Sequence, residues 1–108
     1  MKSNPVVISY PPSSLVGTAA NHLHEEIQDA LKVGIKTFLI NFQEVKFMDS
    51  HGLGMLVMIL KDIQAGEGQL FLCSLGDQAK MLLELTSMTQ VFCIFANQAE
   101  FQVKVLGD

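Results

Sequence analysis

Four short apolar runs alternate along the chain with four longer stretches in which apolar residues recur at helical spacing. Val6-Val7-Ile8-Ser9-Tyr10, Thr37-Phe38-Leu39-Ile40-Asn41-Phe42, Gln69-Leu70-Phe71-Leu72-Cys73 and Val91-Phe92-Cys93-Ile94-Phe95 have the β-branched and aromatic content of strands. The first stops at Pro11-Pro12, where backbone donors run out. Between them, Ala20, Leu23, Ile27, Ala30 and Leu31 form an amphipathic stripe, with Thr18 as the expected N-cap and Gly34 in the C′ position. A second helix is expected from Ser50 to about Ile63, closed by Gly66-Glu67-Gly68. A third opens at Gly76-Asp77 with Met81, Leu82, Leu85 and Met88 as its apolar side. Asn97, with Glu100 three residues later, is a capping-box start for a last helix reaching about Leu106. Strands separated by crossover helices predict a largely parallel sheet. The expectation is one α/β domain over 1–108, with a core at about 5–106, about four strands and four helices.

Composition narrows the class. The chain has 108 residues and a formal charge of −4. Its lysines at 32, 36, 46, 61, 80 and 104 are scattered, which argues against nucleic acid as a partner, since phosphate neutralisation needs a basic surface. The longest apolar stretch, Leu53–Leu60, falls well short of the roughly 20 residues that span a bilayer. Met1-Lys2-Ser3-Asn4-Pro5 lacks the apolar core of a signal peptide, so a cytoplasmic protein without a membrane partner is expected. Cys73 and Cys93 read as two reduced core thiols, with a disulfide between neighbouring strands left open. No CxxC is present, and His22 and His24, two apart on a helix, cannot share a metal. They read as solvated, and neither a metal nor a cofactor is expected.

The candidate chemistry is concentrated in Phe47-Met48-Asp49-Ser50-His51-Gly52-Leu53-Gly54. Ser50 falls where a loop becomes a helix, as the expected N-cap, and that helix end favours negative charge. A plain cap and an acceptor of a phosphate both account for a serine there. Gly52 and Gly54 each cost about 1 kcal/mol in a helix relative to Ala. Close approach of a partner, or tight packing on a neighbouring strand, would repay that cost. Leu53, Leu56, Val57, Leu60 and Ile63 form one stripe, expected to lie on the sheet. Met55, Met58 and Ile59 are expected on the opposite side, as a docking face or as a second buried face. His51 either meets a phosphate on Ser50 or faces water.

With Asp49-Ser50-x-Gly52-Leu53 and the flanking strand and helix, the chain resembles the STAS family, specifically the bacterial anti-sigma-factor antagonists. Leu82-Leu83-Glu84-Leu85 through Phe95 is similar to the family's leucine-rich helix, turn and short strand. The resemblance implies a phosphoprotein of partner switching. Unphosphorylated, it would bind a protein that is both anti-sigma factor and serine kinase; phosphorylation at Ser50 would release that protein, and a PP2C-like phosphatase would reset the switch. It implies a partner surface of Asp49, Ser50, His51, Gly52, Leu53, Met55, Met58 and Ile59, on a monomer or weak dimer. The chain departs from the family in three places. Ser13-Ser14-Leu15-Val16 stands where a Gly-x-Leu-Asp stretch is usual, only five residues precede Val6, and His51 replaces a small residue. A STAS scaffold for a non-sigma partner is the alternative.

Enzymatic readings fare worse. A receiver domain needs an acidic cluster after the first strand and a lysine after the last, and Pro11-Pro12 and Ala96-Asn97 stand there instead. A hydrolase elbow would need Gly at Met48, and no His follows His51. No catalytic residue is expected.

Overall fold

The computed structural model describes residues 4–107, so the outermost ends of the expected domain, 1–3 and 108, lie outside the described residues. Strands β1 (Val6–Ser9), β3 (Thr37–Asn41), β5 (Gln69–Cys73) and β6 (Cys93–Phe95) form a parallel sheet in the order β1-β3-β5-β6. Two further two-residue strands, β2 (Ser14–Leu15) and β4 (Phe47–Met48), pair with each other in a second small parallel sheet. The helices are α1 (Gly17–Lys32), α2 (Ser50–Ala65), α3 (Asp77–Leu85) and α4 (Gln98–Phe101), the last prolonged by a π turn over Gln102–Leu106. The expected α/β class, four-stranded parallel sheet and four helices are present. The small sheet was not foreseen, because two residues are too few to show a period.

Each connection in the main sheet steps to the next strand in the same direction. Right-handed crossovers therefore lay α1, α2 and α3 on one face. There Ala20, Leu23 and Ile27 of α1, Leu53, Leu56, Ile59, Leu60 and Ile63 of α2, and Ala79 and Leu83 of α3 pack on Phe38, Ile40, Leu70 and Leu72. Each such large side chain contributes about 1.5–3 kcal/mol when fully buried. The other face is covered by α4: Phe101 packs on Leu39, Phe71 and Cys73. Its ring lies 5.4 Å from that of Phe71 and 6.1 Å from that of Phe95. Central β3 is apolar at both Phe38-Leu39-Ile40 faces because both are covered.

Asn41, buried at the end of β3, has both side-chain polar atoms hydrogen-bonded. Its Oδ1 accepts from the Gln43 N–H at 2.9 Å, and its Nδ2 donates to Gln98 Oε1 at 3.0 Å. Tyr10 Oη donates to the same Gln98 oxygen at 2.7 Å, tying the ends of β1 and β3 to the start of α4.

Several expectations are corrected. Helix α1 begins at Gly17 after an extended Val16, with no side-chain cap, so Thr18 is inside the helix. Gly34 does close it, at φ +92°. In α3 the buried positions are Ala79 and Leu83, with Leu82 half-buried. Met81 and Leu85 face outward, and Met88 begins a 3-10 turn beyond the helix. Small Ala79 carries the packing that the larger methionine seemed suited to. His24 is not solvated: its Nε2 lies 2.6 Å from Asp62 Oδ2, joining α1 to α2. Cys93 is exposed, while Cys73 is buried, and both are free thiols. Cys93 pairs with Phe71 and Cys73 with Phe95, so the two cysteines are diagonal neighbours and not directly opposed. Burial pushes the Cys73 thiol up, with a contrary pull from the Ser74 hydroxyl.

Candidate functional site

The start of α2 is built on β4. One edge of β4 pairs with β2, and the Lys46 and Phe47 N–H groups both donate to Ser13 O, at 2.8 and 3.0 Å. On its other side stands Gln78 of α3. The Gln78 amide accepts from Met48 N–H at 2.8 Å and donates to Met48 O at 2.9 Å. One side-chain amide thus takes the place of a third strand. Sequence reasoning missed this residue, and a glutamine in the first turn of a helix carries no signal that could have found it.

Held in this way, Met48 delivers Asp49 to the N-cap. Asp49 is extended, and its Oδ1 accepts from the Gly52 N–H at 2.8 Å. The expected cap at Ser50 is therefore wrong by one residue: the carboxylate, a stronger acceptor than a hydroxyl, takes the role. Ser50 becomes the first residue of the helix, exposed, and its hydroxyl makes no hydrogen bond among the described residues.

The two glycines separate cleanly. A Cβ on Gly52 would collide with the Leu15 carbonyl oxygen and stand 2.9 Å from Met48 Cγ. Gly52 is therefore needed for packing α2 onto β2 and β4. A Cβ on Gly54 would meet nothing within 4 Å, so packing does not require that glycine. Ser50, Gly54 and Met58 follow each other at intervals of four and form an exposed ridge.

The remaining expected site residues divide by burial. His51 is exposed, with Nε2 3.1 Å from Asn21 Oδ1 on α1. Met58 is 48% exposed and Met55 half-buried. Leu53 and Gly52 are buried, and Ile59 is 0% exposed. The placement of Ile59 on an outer face is a correction. At 100° per residue it lies about 40° from Ile63, beside the buried stripe, while only Met58 and part of Met55 reach the far side. Phe47, 47% exposed at the foot of the helix, joins them in presenting apolar surface near Ser50.

Among the described residues no group of three or more His, Cys, Asp or Glu side chains is placed to hold a metal, and no helix is long and apolar enough to cross a membrane.

The comparison with known proteins decides the family. The STAS domain matches residues 2–101. The chain belongs to the STAS domain family. It is 29% identical over 66 residues to the anti-sigma-B factor antagonist of Staphylococcus aureus. That match covers 61% of this chain and spans 61% of the length of the curated relative. The Thermotoga maritima protein TM1081 superimposes with a TM-score of 0.82 at 27% identity, over 95% of this STAS chain and 83% of that one. The anti-sigma factor antagonist SpoIIAA in its unphosphorylated form shares the STAS fold, with a TM-score of 0.83 at 20% identity over 100% and 94% of the two chains.

Proposed function

We propose that this STAS domain is an anti-sigma-factor antagonist, a non-enzymatic cytoplasmic binding module switched by phosphorylation of Ser50. The observation that carries the reading is the idle hydroxyl of Ser50. Asp49 already caps α2, so no structural task accounts for a serine at the next position. The helix start can accommodate a phosphate without rearranging the fold. The partner would be an anti-sigma factor that is also a serine kinase, with a PP2C-like phosphatase reversing the modification. Asp49, Ser50 and His51 would form the polar part of the contact, and Gly54, Met55, Met58 and Phe47 its apolar part. Gly52, Leu53 and Ile59 would act from beneath, by packing.

Phosphorylation would add about −1.5 to −2 charges beside Asp49. A partner surface fitted to a neutral hydroxyl would then bury an unpaired or repelled charge, which costs several kcal/mol. A loss of about 2.7 kcal/mol is a hundredfold in affinity. Titration calorimetry of Ser50→Asp against the anti-sigma factor tests this. Binding at least tenfold weaker, with an unchanged circular dichroism spectrum, is expected; parental affinity would refute the switch.

A further inference from the structure

We infer that Gln78 is a positioning residue for phosphoryl transfer: its amide holds the start of α2, so that the Ser50 hydroxyl is presented in one place. The inference rests on Ser50 being the phosphoacceptor. Phosphoryl transfer is catalysed mainly by positioning and charge stabilisation, and a displacement of about 1 Å can cost about a hundredfold in rate. An acceptor carried on a loose helix start would therefore be a poor substrate.

The hold runs through Met48, two residues before Ser50. Its N–H donates to Gln78 Oε1 at 2.8 Å, and its carbonyl accepts from Gln78 Nε2 at 2.9 Å. Met48 is fully buried, so both groups depend on that amide. Met48 then reaches the helix start by two routes. Along the chain it is followed by Asp49, whose Oδ1 caps Gly52. Through space its Cγ would stand 2.9 Å from a Cβ on Gly52, so the first turn of α2 rests on it. The other end of the clamp is seated as well: Ala79 and Leu83 of α3 are buried, and the Lys80 N–H donates to Gly76 O at 2.9 Å. Strand β2 supports β4 along its opposite edge alone. The outward residues Met55 and Met58 do not depend on the clamp, because Leu56, Ile59, Leu60 and Ile63 seat the rest of α2 in the core. Loss of Gln78 should therefore disturb Ser50 and spare the surface beyond it.

Gln78→Met keeps the length of the side chain and removes both hydrogen bonds. With the anti-sigma-type serine kinase and excess ATP, initial rates over a range of protein concentration give kcat and KM for labelling of Ser50. In Q78M kcat should fall at least about tenfold, with KM within about twofold of the parent. Loss of folded protein alone would do the reverse, raising the apparent KM and sparing kcat, and that result would overturn the inference. Amide hydrogen exchange reports on the hold without a kinase. In Q78M the Met48 and Gly52 N–H groups should exchange at least about tenfold faster. The Glu100 N–H, at the capped start of α4, should be unchanged. Unchanged exchange at Gly52 would also overturn the inference. Should Q78M not fold, Gln78→Glu, which keeps an acceptor for the Met48 N–H and loses the donor to its carbonyl, is read by the same two measurements. A parent chain that the kinase does not label at Ser50 defeats the switch, and the inference with it. A labelled parent with an unchanged kcat in Q78M defeats the inference alone.

Discussion

Two helices of this domain start in the same way and use the next residue differently. At α4, Asn97 Oδ1 accepts from the Glu100 N–H at 2.9 Å, as Asp49 Oδ1 accepts from Gly52 at α2. At α4 the following residue, Gln98, is bonded to both Asn41 and Tyr10, and Glu100 Oε1 accepts from the Ala96 N–H at 2.7 Å. At α2 the following residue is Ser50, whose hydroxyl has no partner among the described residues. Below it, by contrast, Gln78 and β2 hold the two edges of β4, and Gly52 packs closely on Leu15. At α4 the residue after the cap is tied into the fold; at α2 it carries a hydroxyl with no partner among the described residues. The proposed switch at Ser50 relies on that separation, because modification there would leave the fold's own bonds intact.

The comparison can be broken first at the core beneath each start. Phe101→Ala, under α4, and Ile59→Ala, under α2, should each destabilise the domain strongly, by about 3–5 and 2–5 kcal/mol in a urea melt. If Ile59→Ala were nearly neutral, α2 would not be seated as described. Met58→Ser, one residue away, should change stability by about 0.5 kcal/mol or less.

The next effect is at Gly52. Ala there should cost about 1–3 kcal/mol, because the Leu15 backbone cannot yield as a side-chain tip can. Gly54→Ala, with open space around it, should instead gain up to about 1 kcal/mol. Equal effects at the two glycines would contradict the packing of α2 on the small sheet.

The helix starts themselves come third. Asp49→Ala and Asn97→Ala should each cost about 1 kcal/mol. Gln98→Ala should cost about 1–3 kcal/mol, because it strips a partner from buried Asn41. Ser50→Ala should cost about 0.5 kcal/mol or less. A Ser50→Ala loss as large as that of Asp49→Ala would return the cap to the serine.

The smallest effect concerns the cysteines. Under native conditions an alkylating reagent should modify exposed Cys93 and spare buried Cys73. Mass spectrometry of the two peptides distinguishes them.

The strands, the crossover order and the sheet were legible because apolar runs and stripes extend over many residues and repeat a simple period. Ser50's position at a helix start was legible too, but the choice between Asp49 and Ser50 as cap was not. Both are good caps, and a shift of one residue leaves the pattern unchanged. Ile59 was misplaced because its neighbour Met58 and it differ by one step in a helix apolar on most of its circumference. The Gln78 clamp, the Asn21–His51 and His24–Asp62 bonds, and the Leu15 contact at Gly52 join residues about 30–40 apart. Polar side-chain partners at that separation leave no periodic trace. The exposure of Met81 and Leu85 was hidden for a related reason: hydrophobicity alone does not say which face of a short helix meets the core.

The central claim is that the free hydroxyl at the start of α2 exists to be modified. Incubating the protein and its Ser50→Ala variant with the anti-sigma-type serine kinase and ATP, followed by intact-mass analysis and peptide mapping, tests it directly. One phosphate on the parent, mapped to Ser50, and none on the folded alanine variant is the expected result. Undiminished phosphorylation of Ser50→Ala would contradict it.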